Sequence, residues 1–214
     1  MMDVLSLEHS VRTAHYFPAY LHLFTGPMKS GKTEGMIYHL DRSSYSHLSR
    51  FQLFKPCNDD RSDANLVFSR KYGTVPCQPI DPAHPEDILS YIGKDVTLIG
   101  IDEAQFFAPS LSDVVTALRR SRRHVLCAFL DTDFRGEPFP AAQRLLFSYP
   151  DRIEHLTAVC EAQPCEYDAT MTQRLVDGQP AHYDDPIELI EKAGRKEVYE
   201  ARCIFHHVVD RSPR

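Results

Sequence analysis

Between residues 20 and 157, short apolar segments alternate with longer segments in which apolar and polar positions recur at helical spacing. The apolar segments are YLHLF, FQLFK, VTLIGID and HVLCAFLD, and the amphipathic ones include KTEGMIYHLDRSS and SLSDVVTALRR. This alternation is typical of parallel strands joined by crossover helices. The pattern therefore predicts an α/β fold in which a parallel sheet is flanked by helices.

The remaining segments have a different amino-acid composition. Residues 56–85 are rich in Pro, Asp, Asn and Ser, which predicts a long loop region with at most short strands. After residue 157 the chain is rich in Cys, Gly and polar residues, and QRLVDGQPAHY predicts two strands joined by a turn at Asp177-Gly178. Residues 1–19 lack the basic start and apolar centre of a secretory signal. We expect a loose leader at 1–19, a main domain at 20–157 and a smaller domain at 158–214.

Composition and charge narrow the function classes. The contents of 43% hydrophobic and 25% charged residues are ordinary for a soluble protein, and no apolar run approaches the roughly 20 residues of a membrane helix. A net charge of −6 argues against a protein that mainly grips a nucleic-acid backbone. We interpret the basic run LRRSRRH at 118–124 as a solvated helix end. Six Cys in so long a chain do not make a disulfide scaffold, so we expect a cytoplasmic protein. From the acidic charge and the lack of a long apolar run, we expect no nucleic-acid partner and no membrane partner.

Residues 26–33, GPMKSGKT, fit the phosphate-loop (P-loop) pattern G-x-x-x-x-G-K-[ST] at every fixed position. The segment follows a predicted strand and precedes a predicted helix, which is the context that this motif requires. Its backbone N–H groups would hold phosphate oxygens, Lys32 would reach the outer phosphates, and Thr33 would offer its hydroxyl to Mg²⁺. The candidate ATP-binding residues are Gly26, Pro27, Met28, Lys29, Ser30, Gly31, Lys32 and Thr33.

Two acids follow the predicted strand VTLIGI. Asp102 stands where a P-loop protein places an acid near its magnesium ion, and Glu103 can face the reaction as a base. A solvated Glu103 beside a structural Asp102 is the alternative interpretation. The same residues begin DEAQ, an element of nucleic-acid motor ATPases, so a nucleic-acid-stimulated ATPase is an alternative function. Such motors usually need two α/β domains and a basic track, whereas this chain is short and acidic.

Residues 160–207 contain a candidate metal site. Cys160 and Cys165 are separated by four residues, and Cys203 and His206 by two. Two ligand pairs from separate loops are typical of a closed tetrahedral zinc site of the structural type. The metal would close the long loop between the pairs and help a small domain to fold. His207 is an alternative fourth ligand.

Taken together, eight segments in consistent order between about residues 21 and 207 resemble the type II thymidine kinases, the cytosolic, zinc-containing family. They are GPMKSGKT, KPCNDDR, IGIDEAQFF, LDTDFRGEPF, LTAVC, TQRLVDGQPA, YDDPI and YEARC with the His pair after it. The resemblance implies a P-loop α/β domain with a small zinc-binding lasso domain that folds over the nucleoside, commonly in a homotetramer. It implies transfer of the ATP γ-phosphate to the 5′-hydroxyl of thymidine or deoxyuridine, and it makes dTTP a candidate feedback inhibitor.

The resemblance also implies roles for residues at matching positions. Glu103 would be the base, Lys32 and Arg61 would stabilise charge on the transferred phosphoryl group, and Thr33 and Asp59 would lie near magnesium. The expected nucleoside-binding residues are Met28, Phe106, Leu130, Phe134, Thr172 and Tyr199. A surface cation at Arg61, and ordinary core residues at Phe106 and Phe134, remain alternatives.

Three features depart from the family pattern. Lys29 occupies a loop position that is usually aromatic, and the spacing of the first Cys pair is wider than the usual two residues. The segment ELIEKAGRKEVYEARC, which corresponds to the lasso, is longer and more charged, and it holds only Gly194 where the family has a Gly-rich turn. The altered lasso motivates a third hypothesis, a nucleotide-binding relative without turnover.

Overall fold

The centre of the fold is a six-stranded parallel sheet. The computed structural model describes residues 19–45, 50–58, 65–69, 71–187 and 197–213. The strands of the sheet are β1 Leu21–Thr25, β2 Arg50–Pro56, β5 Gln78–Ile80, β6 Val96–Ile101, β7 His124–Phe129 and β8 Arg152–His155. They lie in the order β5-β2-β6-β7-β1-β8, and every neighbouring pair is parallel. The predicted α/β fold with a parallel sheet flanked by helices is confirmed.

Helices cover both faces of this sheet. They are α1 Lys32–Ser44, α2 Ile88–Tyr91, α3 Leu111–Arg120 and α4 Pro140–Leu146, with single 3₁₀ turns at Pro85–Asp87 and Ala104–Phe106. Successive residues of a strand point to opposite faces. Leu21 and Leu23 of β1 therefore pack in the cluster that includes α3, whereas Phe24 packs with Met36 and Leu40 of α1.

The remaining strands are short. A hairpin of β3 Leu66–Ser69 and β4 Gly73–Pro76 lies in the segment predicted to be mostly loop. After residue 157 the described strands are β9 Ala158–Val159, β10 Asp168–Ala169, β11 Met171–Val176, β12 Gln179–Pro180 and β13 Glu197–Arg202. They form two small antiparallel sheets, β10-β9 and β12-β11-β13, separate from the main sheet.

Two local predictions, the Asp-Gly turn and the helix end at the basic run, agree with the structure. The turn between β11 and β12 is at Asp177 (φ 51°) and Gly178 (φ 81°), the left-handed conformations that an Asp-Gly hairpin turn uses. The basic run at 118–124 is the end of α3 and the turn after it, with Arg120 and Arg122 exposed. No helix in the described part of the chain is both long and apolar enough to cross a membrane. The predicted leader lies, except for residue 19, outside the described residues, and the domain boundaries stay predictions.

Candidate active site

Two glycines with positive φ shape the loop between β1 and α1. Gly26 has φ +136°, and a Cβ there would lie 2.1 Å from the carbonyl oxygen of Leu156, so only glycine fits. Gly31 has φ +84°, and a Cβ there would meet no atom within 4 Å. The Lys32 ammonium donates to the carbonyl of Pro27 at 2.5 Å, which holds the lysine across the loop.

The start of α1 is joined to the end of β6 by a short hydrogen bond. The Thr33 hydroxyl lies 3.1 Å from Asp102 Oδ1 and 3.3 Å from Oδ2. Asp102 directly follows β6, is 5% exposed, and donates its own N–H to the carbonyl of Phe54 on β2. A hydroxyl beside a buried carboxylate at a phosphate loop supplies two of the oxygen ligands that Mg²⁺ prefers.

Glu103 is held by backbone conformation and by one amide side chain. Its backbone is left-handed, with φ 50° and ψ 39°, a conformation that costs energy for a residue other than glycine and that clusters at functional sites. The Gln105 amide donates to Glu103 Oε2 at 2.6 Å, while Gln105 Oε1 accepts the N–H of Leu130 at 3.0 Å. Gln105 is 3% exposed, so this bridge fixes the direction of the Glu103 carboxylate from within the core.

A cavity of about 250 Å³ brings these parts together. The phosphate loop and the first turn of α1 form one wall, and Glu103 and Leu130 form another. The residues that line it are Met28, Lys29, Gly31, Lys32, Thr33, Glu34, Glu103 and Leu130. Candidate phosphate-binding residues, the candidate base and two candidate nucleoside-binding residues therefore meet in one space.

The other candidate nucleoside-binding residues are not among the described residues that line this cavity. Phe106 packs edge-on against Phe139, with ring centroids 5.7 Å apart. Phe134 is 3% exposed, and the Arg174 guanidinium lies 5.4 Å from its ring centroid. Thr172 accepts the Met28 N–H at 3.1 Å.

Tyr199 lies on β13, opposite Arg174 in the register with β11. Asp59 and Arg61 fall outside the described residues.

Contacts from the phosphate loop reach the part of the chain after residue 157. Besides the Met28 to Thr172 hydrogen bond, the Lys29 ammonium contacts both carboxylate oxygens of Glu161, at 2.6 and 2.8 Å. Glu161 also accepts the N–H of Ala201 on β13 at 2.7 Å. The loop is thus connected to β11 and β13 at once.

The predicted metal ligands lie together. One ligand atom from each of Cys160, Cys165, Cys203 and His206 falls in a group whose members are all within 4.8 Å of one another. The Cys165 and Cys203 sulfurs are 3.9 Å apart, and His206 Nδ1 lies 3.8 Å from the Cys160 sulfur and 3.2 Å from the Cys203 sulfur. Tetrahedral zinc would place two sulfurs about 3.8 Å apart and a sulfur and a nitrogen about 3.6 Å apart. The donor set fits zinc in both chemistry and size.

The alternative ligand, His207, is turned elsewhere. Its Nε2 lies 2.8 Å from the carbonyl oxygen of Phe134, whereas His206 Nδ1 faces the sulfurs. Burial acts to raise the pKa of the Cys160 thiol, but hydrogen bonds from the backbone N–H groups of Cys203 and Ala162 and from the other two thiols outweigh it, and the pKa falls to about 6. The thiolate, which is the form that binds metals, is therefore favoured.

Comparison with known proteins agrees with this geometry. A family profile described as thymidine kinase matches residues 19–207. A curated protein named thymidine kinase, from Coprothermobacter proteolyticus, is 40% identical over 190 residues, which cover 89% of this chain and 91% of the relative. The chain belongs to the thymidine kinase family. The predicted resemblance and the predicted enzyme class, an ATP-dependent kinase acting on thymidine, are confirmed, and the nucleic-acid-stimulated ATPase is not favoured.

Two residues that contact this thymidine kinase site, Gln105 and Glu161, had no predicted role. Gln105 is the last residue of the DEAQ segment, and no pattern in the neighbouring sequence indicated that its side chain would orient Glu103. Glu161 is 132 positions from Lys29, so no local pattern could pair them.

Proposed function

We propose that this thymidine kinase transfers the γ-phosphoryl group of ATP to the 5′-hydroxyl of thymidine or deoxyuridine in the cavity between the phosphate loop and Glu103. The single observation that supports this most is the meeting of Lys32, Thr33 and Glu103 in one cavity of about 250 Å³. Phosphoryl transfer depends mainly on positioning and on stabilising negative charge, and these three side chains supply both.

The phosphate end would be bound by the loop. Backbone N–H groups around Gly31 and the start of α1 would hold phosphate oxygens, and Lys32 would exchange its bond to the Pro27 carbonyl for the outer phosphates. Thr33 and Asp102 would hold magnesium, a role that their 3.1 Å contact supports. Magnesium would neutralise charge on the phosphates. Asp59 and Arg61 are proposed on the resemblance alone, as further magnesium and phosphate contacts.

Glu103 would accept the proton of the nucleoside 5′-hydroxyl. As the hydroxyl oxygen bonds to the γ-phosphorus, the bond between that phosphorus and the bridging oxygen breaks and ADP leaves. The Gln105 bridge keeps the carboxylate of Glu103 aimed during this step. Since Gln105 also accepts the N–H of Leu130, one side chain contacts both the proposed base and the proposed nucleoside wall.

The nucleoside would be bound between the part of the chain before residue 157 and the part after it. Met28 and Leu130 line the cavity, with Phe106 and Phe134 as the proposed aromatic walls. The Thr172 hydroxyl already accepts the Met28 N–H, which leaves its own proton to donate to the nucleoside. With Tyr199 it would close the site and exclude water, which suppresses hydrolysis of ATP.

Zinc at Cys160, Cys165, Cys203 and His206 is proposed as a structural metal. Its position supports this, because the cluster lies at the base of β13 and next to Glu161, which contacts the phosphate loop. The metal would fix β11 and β13, the strands that carry Thr172 and Tyr199. A homotetramer, feedback inhibition by dTTP and a cytoplasmic location are proposed from the family resemblance. The six free cysteines agree with a reducing compartment.

Formation of ADP by the purified protein with ATP and Mg²⁺ tests the proposal. Thymidine, deoxyuridine, the other nucleosides and single-stranded DNA would be compared as added partners. We expect stimulation by thymidine and deoxyuridine, with one nucleoside monophosphate formed for each ADP. ATP hydrolysis stimulated by DNA and falling steeply with salt would support the motor alternative instead. Nucleotide binding without turnover would support the non-catalytic relative.

A further inference from the structure

A second cluster of metal-binding side chains lies away from the cysteines. His22 is on β1, His39 on α1 and Glu154 on β8, and their ligand atoms all lie within 4.8 Å of one another. His22 Nε2 is 2.9 Å and His39 Nε2 is 3.9 Å from Glu154 Oε1. Three neighbouring elements of the main fold therefore converge on one point.

The contacts inside this cluster leave buried polar atoms unsatisfied. His22 is 2% exposed, and within the described residues neither its Nε2 nor Glu154 Oε1 makes a contact with hydrogen-bond geometry, although the two atoms are 2.9 Å apart and the oxygen is ion-paired with Arg152. The approach lacks hydrogen-bond geometry, so a shared proton does not account for it. Buried polar atoms without partners are rare and costly. An ion placed between the nitrogen and the oxygen would give the buried His22 Nε2 a partner.

The protonation state and the surroundings suit a cation. Burial, helped by His39 and Arg152, lowers the pKa of His22 to about 3, so its imidazole is neutral and has a lone pair for a metal. The side chains of His39 and Glu154 are 32% and 25% exposed, which gives an ion a route from solvent. We propose that His22, His39 and Glu154 form a second metal site that binds a divalent transition ion of the zinc and cobalt class. Two imidazoles and one carboxylate, with a fourth position open to water, are a donor set that such ions prefer.

The Arg152 guanidinium opposes metal binding at this site and provides a test of the proposal. Arg152 Nη2 lies 2.8 Å from the same Glu154 Oε1, and the arginine side chain is 45% exposed. A bound metal would displace this guanidinium into solvent, because two cations at one carboxylate oxygen repel each other. Removing the arginine charge should therefore strengthen metal binding rather than weaken it, which is the opposite of what loss of a structural contact would do.

The site is separate from the reaction. His22 precedes Gly26 by four strand positions, about 13 Å along β1, and His39 follows Lys32 by about 10 Å along α1. A metal there would join β1, α1 and β8, with His22 at the start of β1, His39 in the middle of α1 and Glu154 in the second half of β8. Its expected effect is to stabilise the part of the fold that carries the phosphate loop.

A cobalt titration of the full chain, with its cysteine site already loaded with zinc, tests the proposal. We expect one further Co²⁺ per chain, with visible absorption that lacks thiolate charge-transfer bands, and a rise in the thermal unfolding midpoint. His39→Ala and the isosteric Glu154→Gln should each weaken Co²⁺ binding about tenfold or more. Arg152→Gln should tighten it.

His84→Ala is the matched control. His84 is a surface histidine, 62% exposed, that also contacts a carboxylate, Glu86, at 3.1 Å. Its loss should leave Co²⁺ binding unchanged. If the wild-type chain takes up no further Co²⁺, or if it binds Co²⁺ no more tightly than folded His39→Ala and Glu154→Gln variants, the second site does not exist. Neither readout depends on kinase activity.

Discussion

Lys29 of the phosphate loop contacts both carboxylate oxygens of Glu161, at 2.6 and 2.8 Å. Glu161 directly follows the metal-ligand candidate Cys160 and also accepts the Ala201 N–H. Partial burial acts to raise the pKa of Glu161, but the hydrogen bonds from Lys29 and from the Ala201 N–H outweigh it and hold this pKa below its ordinary value. The phosphate loop and the part of the chain that is proposed to cover the nucleoside are therefore joined by an ion pair.

Breaking the ion pair between Lys29 and Glu161 should weaken nucleoside binding more than it lowers the stability of the fold. Both side chains are about one-third exposed, so the pair contributes only about 0.2–1 kcal/mol to stability. We expect Lys29→Ala and Glu161→Gln each to raise the KM for thymidine about fivefold or less, with the effect shrinking at high salt. Steady-state kinetics at two ionic strengths measure this.

A double-mutant cycle and a control complete the test. The double variant should cost no more than the larger single effect, because each substitution already removes the pair. Lys94→Ala, at an exposed lysine outside the site, should leave the KM unchanged. Fully additive effects of the two substitutions would show that Lys29 and Glu161 act independently.

Glu103→Gln should stop phosphoryl transfer while ATP still binds. The amide keeps the size of the side chain but cannot accept the hydroxyl proton, so we expect kcat to fall by about 10² or more. Nucleotide binding, followed by fluorescence of a labelled ATP, should change little because the phosphate loop is intact. Glu34→Gln is the control, since Glu34 lines the same cavity without a proposed role in the reaction. Turnover near the wild-type rate in Glu103→Gln would remove this residue from the role of base.

Two glycines of the phosphate loop should respond differently to the same substitution. Gly26→Ala places a Cβ 2.1 Å from the carbonyl oxygen of Leu156 at φ +136°, so we expect a loss of about 2–4 kcal/mol in the free energy of unfolding. Gly31→Ala meets no atom at φ +84° and should cost about 1–2 kcal/mol. Because its methyl group faces the space proposed for phosphate, this variant should mainly raise the KM for ATP.

Gly178→Ala separates the effect of backbone strain on stability from an effect on ATP binding. Gly178 has φ +81° and open space like Gly31, but it lies in the β11–β12 turn. Its substitution should destabilise the protein as much as Gly31→Ala and leave the KM for ATP unchanged. Chemical unfolding and ATP titrations of the three variants give both quantities. Equal KM values for Gly31→Ala and Gly178→Ala would contradict the assignment of Gly31 to phosphate binding.

Local patterns predicted the sheet and the phosphate loop because their information is contiguous. GPMKSGKT specifies its own turn and helix start, and VTLIGI places Asp102 at a strand end. The strand β8 was missed because RIEH lies at the edge of the sheet and is mostly exposed, so it lacks the apolar run of a buried parallel strand. The contacts of Gln105 and Glu161 depend on backbone conformation and on distant pairing, which a single sequence does not encode locally.

Cys203→Ala should remove the structural metal and the cover of the nucleoside together. Cys203 is 3% exposed and its sulfur lies 3.9 Å from that of Cys165 and 3.2 Å from His206 Nδ1. With one thiolate missing, a closed four-ligand site cannot form, and β13 loses the constraint at its end. We expect elemental analysis to show the loss of about one zinc per chain, and the KM for thymidine to rise far more than the KM for ATP.

Two cysteine controls distinguish metal loss from general damage. Cys57 is exposed and Cys127 is fully buried in β7, and neither belongs to the cluster. Cys57→Ala should behave as wild type, whereas Cys127→Ala should lower the unfolding midpoint yet keep its zinc and its ratio of KM values. A Cys203→Ala protein that retained both zinc and wild-type kinetics would show that the cysteine cluster does not hold the metal. Since β11 and β13 contact the phosphate loop through Thr172 and Glu161, a smaller rise in the KM for ATP should accompany true metal loss.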